Sequence, residues 1–372
     1  MVAVRVLAFL GGATIVLFVI SAAVRTVVVP RAEQVSLNRV AFRVMRRLFD
    51  LQARRQRDWV DEDRVLARYA PFTLMTLPVL WVVGLIAGFT LMFWAIGVGS
   101  LEESFELSGS SVTTLGFRSA GSAWATTIAI VEALLGLLIV ALLIAFLPTL
   151  YGLFSRREAL IANVHTLAEP GEDPDHPHGR PPSPESLILR AHAIDRLGEL
   201  DEVWSEWGVY FHELEEAHTS FPALNYFRSI RPNRSWVLAA GVVLDSAALM
   251  QSTLRVPSSY QAQLMIRSGF TALRRISDFY AIPYDPRPAP TDPIDLPRDR
   301  FDALYDRLAA EGVPLRDDRE QAWRDFAGWR VNYDAVLVGL IHLTSAPPSS
   351  WFDPVAPPPG KRARPRRETP GP

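Results

Sequence analysis

The sequence predicts an all-α integral membrane protein: three transmembrane helices with one re-entrant loop, plus an all-α cytoplasmic domain. Three observations carry this. Residues 6–24 and 71–100 hold no charged side chain, and 119–155 hold only Glu132. A helix rises about 1.5 Å per residue and the hydrocarbon of a bilayer is about 30 Å thick, so about 20 apolar residues cross it. The second and third stretches enclose a polar segment too short to be a domain, and beyond residue 186 apolar residues recur three or four apart without strand-like alternation.

Composition narrows the chemistry. The chain has 372 residues, a formal net charge of -2 and no cysteine. Without cysteine there are no disulfides, no thiolate-held zinc or iron–sulfur cluster and no thiol nucleophile. Near neutrality removes the electrostatic argument for a nucleic-acid partner.

The elements follow in chain order. Residues 1–29 read as the first transmembrane helix. Residues 30–69 form an Arg-rich segment with ten arginines against six acidic residues. Short Arg-rich loops stay cytoplasmic. The loop after the second span carries Glu102, Glu103 and Glu106 against Arg118 alone, and Arg156 and Arg157 follow the third span. The three signals agree on one orientation in the plasma membrane, N-terminus outside and C-terminus cytoplasmic. Within the Arg-rich segment, residues 39–57 read as an amphipathic helix with Val40, Val44, Leu48 and Leu51 at helical spacing. Such a helix either lies on the inner leaflet or is solvated and serves only as a topological signal.

Residues 70–155 carry the functional signal. A Ser- and Thr-rich helix over 101–112, as outer helix 71–98 gives way to inner helix 123–154, leads into Thr113-Thr114-Leu115-Gly116-Phe117. Irregular polar backbone survives at membrane depth only where it lines water or protein, so the segment reads as a re-entrant pore loop. This run resembles the filter of potassium channels, and Glu132-Ala133-Leu134-Leu135-Gly136 resembles the E-A-x-x-G segment of bacterial two-helix channels.

The resemblance implies four loops whose carbonyl oxygens replace the hydration shell of K+. Thr114 then supplies a hydroxyl ligand, and Leu115, Gly116 and Phe117 supply carbonyl rings. Thr113 ends the pore helix, and Gly116 permits the unusual dihedrals. Glu132 is expected to meet a pore-helix hydroxyl such as Ser110 or Ser111. Gly136 is expected to be either a bending point or a close-packing site, with Pro148 as a second break. The chain departs from the family at Arg118 and Ser119, which stand where a second glycine and an aspartate are expected. Arg118 is expected to turn toward Glu102, Glu103 or Glu106. One loop per chain implies a homotetramer, with K+ or another monovalent cation as permeant ion, the lipid bilayer as surroundings and no cofactor.

The C-terminal part reads as a Pro-rich linker over 156–185, a helical domain over 186–345 and a disordered basic tail over 346–372. Helices are expected at 187–200, 202–217, 236–254, 259–280, 298–311 and 319–343. Asp245 and Gln251 interrupt the fourth-longest apolar run, so 236–254 reads as a buried helix of the domain rather than another span. Ser258-Ser259 and Asp317-Asp318 offer N-caps, and Arg228 with Asp245 offers an ion pair. His176 and His178 lie among prolines and read as linker. His212 and His218 are six apart and so point in different directions on a helix, unlike the zinc-binding i, i+4 pair. No nucleophile with a base and no phosphate-cradling loop is present, so an enzyme is not expected. The functional reading is a potassium-channel-like cation channel with a degenerate filter. The alternative is a non-conducting pore relic, a membrane-tethered sensor or scaffold working through its helical domain.

Overall fold

Long runs of apolar residues give three helices long and apolar enough to cross a bilayer, at Val2–Val27, Val60–Ile96 and Ala123–Ala168. The computed structural model describes residues 2–27, 36–53, 55–56, 59–168, 181–229, 231 and 234–352. Among these residues every regular element is a helix, apart from an isolated antiparallel bridge between Leu254 and Leu315. The chain divides into two units, Met1–Ser155 with Ser220–Phe227, and Arg156–Thr219 with Arg228–Pro372.

The first unit contains α1 (Val2–Val27), α2 (Ser36–Ala53), α3 (Trp59–Ala67), α4 (Tyr69–Ile96), α5 (Leu101–Val112) and the first part of α6 (Ala123–Ala168). Small residues bring α1 and α4 together: a Cβ on Gly88 would stand 2.9 Å from the Gly12 carbonyl oxygen, so the two backbones touch here. The segment Ser220–Phe227 contributes aromatic contacts to the same unit, Phe221 on Phe146 and Phe227 on Phe154, with Tyr226 edge-on to Tyr69.

Two expectations for the third apolar helix are corrected. The inner helix does not end near residue 154: α6 runs for 46 residues, about 69 Å, more than twice the thickness of the hydrocarbon. The polar run Ser155-Arg156-Arg157-Glu158 ends the apolar composition, but arginine and glutamate are good helix formers and the helix continues. Nor does Pro148 break it. The residues 156–168 expected as linker are therefore helical, while the Pro-rich stretch 169–180, with His176 and His178, lies outside the described residues.

The second unit holds α7 (Pro184–Ala193), α8 (Asp201–Ser220), α9 (Trp236–Ser252), α10 (Tyr260–Phe279), α11 (Arg298–Ala310), α12 (Arg319–Arg330) and α13 (Asp334–Thr344). Helix α9 is its centre. It packs against α7, α10, α12 and α13, and nearly all its side chains are buried. That surround is why its apolar residues lack the polar face of a surface helix. The expected caps are present: Ser259 Oγ accepts from the Ala262 N–H (3.0 Å) and Asp318 Oδ1 from the Gln321 N–H (2.9 Å).

The expected pair of Arg228 with buried Asp245 is not formed. Asp245 accepts from Arg330, from the Tyr333 hydroxyl (2.7 Å) and from Trp351 Nε1 (2.6 Å). Arg228 donates instead to the carbonyls of Thr344 (2.9 Å) and Ser345 (2.7 Å). The helix expected over 319–343 is two helices, separated by a turn at 331–333, and the one over 187–200 stops before Asp195, whose φ is 58°. The tail does not begin at 346: Trp351 and Phe352 are buried in the core, and residues 353–372 lie outside the described ones.

Candidate functional site

Helix α5 is built to start sharply and to run back along α4. Gly97 takes a left-handed φ of 89° and ends α4. Ser100 then caps α5: its Oγ accepts from the Glu103 N–H (3.2 Å), while Glu103 Oε2 accepts from the Ser100 N–H (2.8 Å). This reciprocal box is written in the sequence as Ser100 followed three residues later by Glu103.

Buried contacts fix how far α5 descends. The Ser108 hydroxyl lies 3.2 Å from the carbonyl of Ile86, ten residues before the end of α4, and 2.5 Å from Oε1 of Glu132, nine residues into α6. Both counts correspond to about 14–15 Å along the helix axes. At the end of α5, a Cβ on Gly136 would run into the carbonyl oxygen of Val112. Gly136 therefore serves close approach, and α6 stays helical through it. Glu132 is fully buried, and its partner is Ser108, one turn earlier than the expected Ser110 or Ser111.

The loop that follows is held by its N–H groups. The N–H of Thr114 donates to the Ser111 carbonyl (3.0 Å), that of Gly116 to the Ser110 carbonyl (3.3 Å), and that of Arg118 to Ser110 Oγ (3.1 Å). A trans peptide sets the preceding carbonyl antiparallel to each N–H. The carbonyls of Thr113, Leu115 and Phe117 are therefore turned away from Ser110 and Ser111, and residues 113–117 are exposed in the single chain. Thr114 and Gly116 have positive φ, 57° and 68°, while Leu115, Phe117 and Arg118 do not. Glycine adopts this conformation freely, but a β-branched threonine does so only where its surroundings hold it. Ser110, which anchors two of the three N–H groups, was not distinguishable in sequence from the other serines of α5.

Arg118 turns back onto α5, as expected, and pairs with Glu106 and with Glu103 Oε1 (2.9 Å). Glu102 takes no part among these pairs. The Ser100 N–H and then Arg118 hold the Glu103 carboxyl below the usual carboxylate range. The guanidinium thus sits beside two carboxylates, and its backbone N–H closes the row begun at Thr114.

The second unit brings no comparable constellation together among the described residues. His212 Nε2 lies 3.3 Å from Ser268 Oγ, whereas buried His218 bonds through Nδ1 to the Leu214 carbonyl (2.9 Å) and packs, tilted, against the Trp236 ring. Comparison with protein-family models, with curated proteins and with solved structures returned no match.

Proposed function

We propose that the chain is one subunit of a homotetrameric cation channel of potassium-channel type, with its filter at residues 113–117. The observation that carries the reading is the tethered loop: alternate N–H groups of Thr114, Gly116 and Arg118 are bonded to the last turn of α5, which leaves a row of carbonyls facing the other way. Oxygen dipoles fixed in this manner replace water around a desolvated cation. The end of α5 lies about 20 Å along α6 from its start, a depth that supports reading α5 and the loop as re-entrant. The carbonyl end of a helix carries a partial negative charge, and here it adjoins the loop.

A single loop cannot surround an ion, and α6 exposes Leu134, Leu137, Val140 and Ile144 in the single chain. Neighbouring copies and lipid cover such a surface, which supports fourfold assembly. The charge pattern supports an N-terminus outside and a cytoplasmic second unit. Arg118 does not oppose cations at the mouth, because Glu103 and Glu106 neutralise it.

The test is K+ and Na+ flux into liposomes carrying the purified full-length protein, with Gly116→Asp as the control. Nothing of the same chain lies within 4 Å of a Cβ at Gly116, so this substitution disturbs no contact within the subunit while placing a charged side chain and an unfavourable φ in the proposed filter. Flux in the parent and none in the variant, with the same assembly size, is the expected result. Equal flux in both would exclude this loop as the conduction path. Absence of flux in the parent would favour the non-conducting relic.

A further inference from the structure

Helix α2 has more apolar surface than the protein uses. Its inner side is taken up by α4: Ala41 and Ala53 are buried, Phe42 and Phe49 pack edge-on to Tyr69, and the Tyr69 hydroxyl donates to the Phe42 carbonyl (3.1 Å). That side is not the stripe that stands out in the sequence. Val40, Val44, Leu48 and Leu51 lie on a different sector and are each at least half exposed. At about 100° per residue, Arg43 and Arg47 border this stripe on its other edge, and both are exposed. Neither forms an ion pair among the described residues, in contrast to Arg46, which is paired with Asp50 (2.9 Å) and lies over the Tyr69 ring.

The position of α2 along α4 is equally specific. Its aromatic contacts with α4 are to Tyr69 and Phe72, in the first turn of a helix of 28 residues. Such a helix is about 42 Å long, longer than about 30 Å of hydrocarbon, and Arg64 and Arg68 just before it favour its first turn in the headgroup zone. Phe72 opens an exposed apolar row on α4 that continues through Met75, Val79 and Val83. The packing of Phe49 on Phe72 (6.3 Å) therefore sets α2 at the end of a surface suited to acyl chains.

From this geometry we infer that the Val40–Val44–Leu48–Leu51 stripe is a docking surface for an anionic phospholipid leaflet, with the aliphatic side chains in the upper acyl region and Arg43 and Arg47 at the lipid phosphates. A helix with an apolar sector flanked by arginines lies in the plane of the interface, and anionic headgroups attract its charges. The inference needs only that α4 spans a membrane, and it is independent of whether the 113–117 loop conducts.

The cysteine-free chain allows a direct test. A nitroxide is placed at Val44→Cys, or at Val79→Cys as a reference inside the bilayer, in the full-length protein reconstituted in vesicles of phosphatidylcholine with or without phosphatidylglycerol. Collision rates are measured with oxygen, which concentrates in lipid, and with a water-soluble nickel chelate. The label at 44 is expected to collide with oxygen and to be shielded from nickel, more so when phosphatidylglycerol is present. Arg43→Gln with Arg47→Gln should remove that dependence on lipid charge, shifting the lipid-to-water equilibrium of the label by about fivefold per arginine. An unchanged signal at 79 verifies that the variant is folded and inserted. Free access of nickel to position 44 would overturn the inference in favour of a solvated helix. Protection from both reagents would overturn it in favour of a second protein surface. A phosphatidylglycerol effect that survives the double substitution would overturn the role of the arginines.

Discussion

A carboxyl group buried beside a short polar helix has few ways to be satisfied, and Glu132 uses a hydroxyl one turn away from where the sequence pointed. The need for a partner was legible, because an acidic residue inside an apolar span is too costly to leave unpaired. Which serine would meet it was not, because α5 offers Ser104, Ser108, Ser110 and Ser111, and only the depth to which α5 descends selects among them. The same depth decides Gly136, which meets the Val112 carbonyl and is not a bend. The Glu132–Ser108 contact is the side-chain tie between α6 and the helix that holds the loop. Glu132→Gln keeps a hydrogen-bonding group of the same shape toward Ser108, so flux and assembly should stay close to the parent. Glu132→Leu removes the tie, at a cost of about 1 kcal/mol in a membrane setting, and should lower both flux and the temperature at which the proposed tetramer dissociates in detergent. Parent-like behaviour of the leucine variant in both assays would show that the contact does not position the loop.

At the scale of elements, periodicity located the helices well and their ends poorly. Polar residues after 154 mark the limit of an apolar surface, not of hydrogen bonding, and α6 continues through them. The turn at 331–333 contains neither proline nor glycine, so the apolar rhythm of α12 and α13 reads as one helix. Caps were more reliable, because Ser259 and Asp318 act on their own local backbone. Helix α8 adds a titration that sequence alone does not disclose. His218 is a surface residue by its polar neighbours, Glu215, Glu216 and Thr219, yet its ring is buried against Trp236. Burial first, and then the charge of Arg157, push its imidazole down to about 3. The folded state thus keeps it neutral while the unfolded chain takes up a proton below about pH 6.5, so stability is fully present above that pH and is lost on acidification. One such group removes about 2 kcal/mol by about pH 5. The melting temperature of the full-length protein, followed by tryptophan fluorescence, should fall between about pH 7.5 and about pH 5, and His218→Phe should make that fall smaller while keeping the ring on Trp236. An equal fall in the variant would assign the acid sensitivity to another group.

For the whole molecule, the boundary of the second unit is set by chemistry at its centre. Asp245 on α9 gathers Arg330 from α12, Tyr333 from the turn that follows and Trp351 from beyond α13. Burial pushes the Asp245 carboxyl above its ordinary range, and these partners, Arg330 foremost, pull it back. Composition obscured the last of them, since residues 346–352 are rich in proline and serine and read as the start of the tail. Apolar bulk is what makes the segment part of the fold: Trp351 packs on Phe326, and Phe352 fills the space beside Gly241. Truncation after Phe352 keeps Arg330, Tyr333 and Trp351 on Asp245 and should leave the stability of the unit unchanged. Truncation after Ser345 removes a donor from a buried carboxylate and empties two aromatic sites, each loss being worth about 3–5 kcal/mol when taken alone. Because domains hold only about 5–15 kcal/mol in total, the shorter chain should unfold at far lower denaturant and be cleaved rapidly by protease within α9, whereas the longer one should resist like the parent. Equal protease resistance of the two truncations would mean that Asp245 is satisfied without Trp351 and that the fold ends at α13.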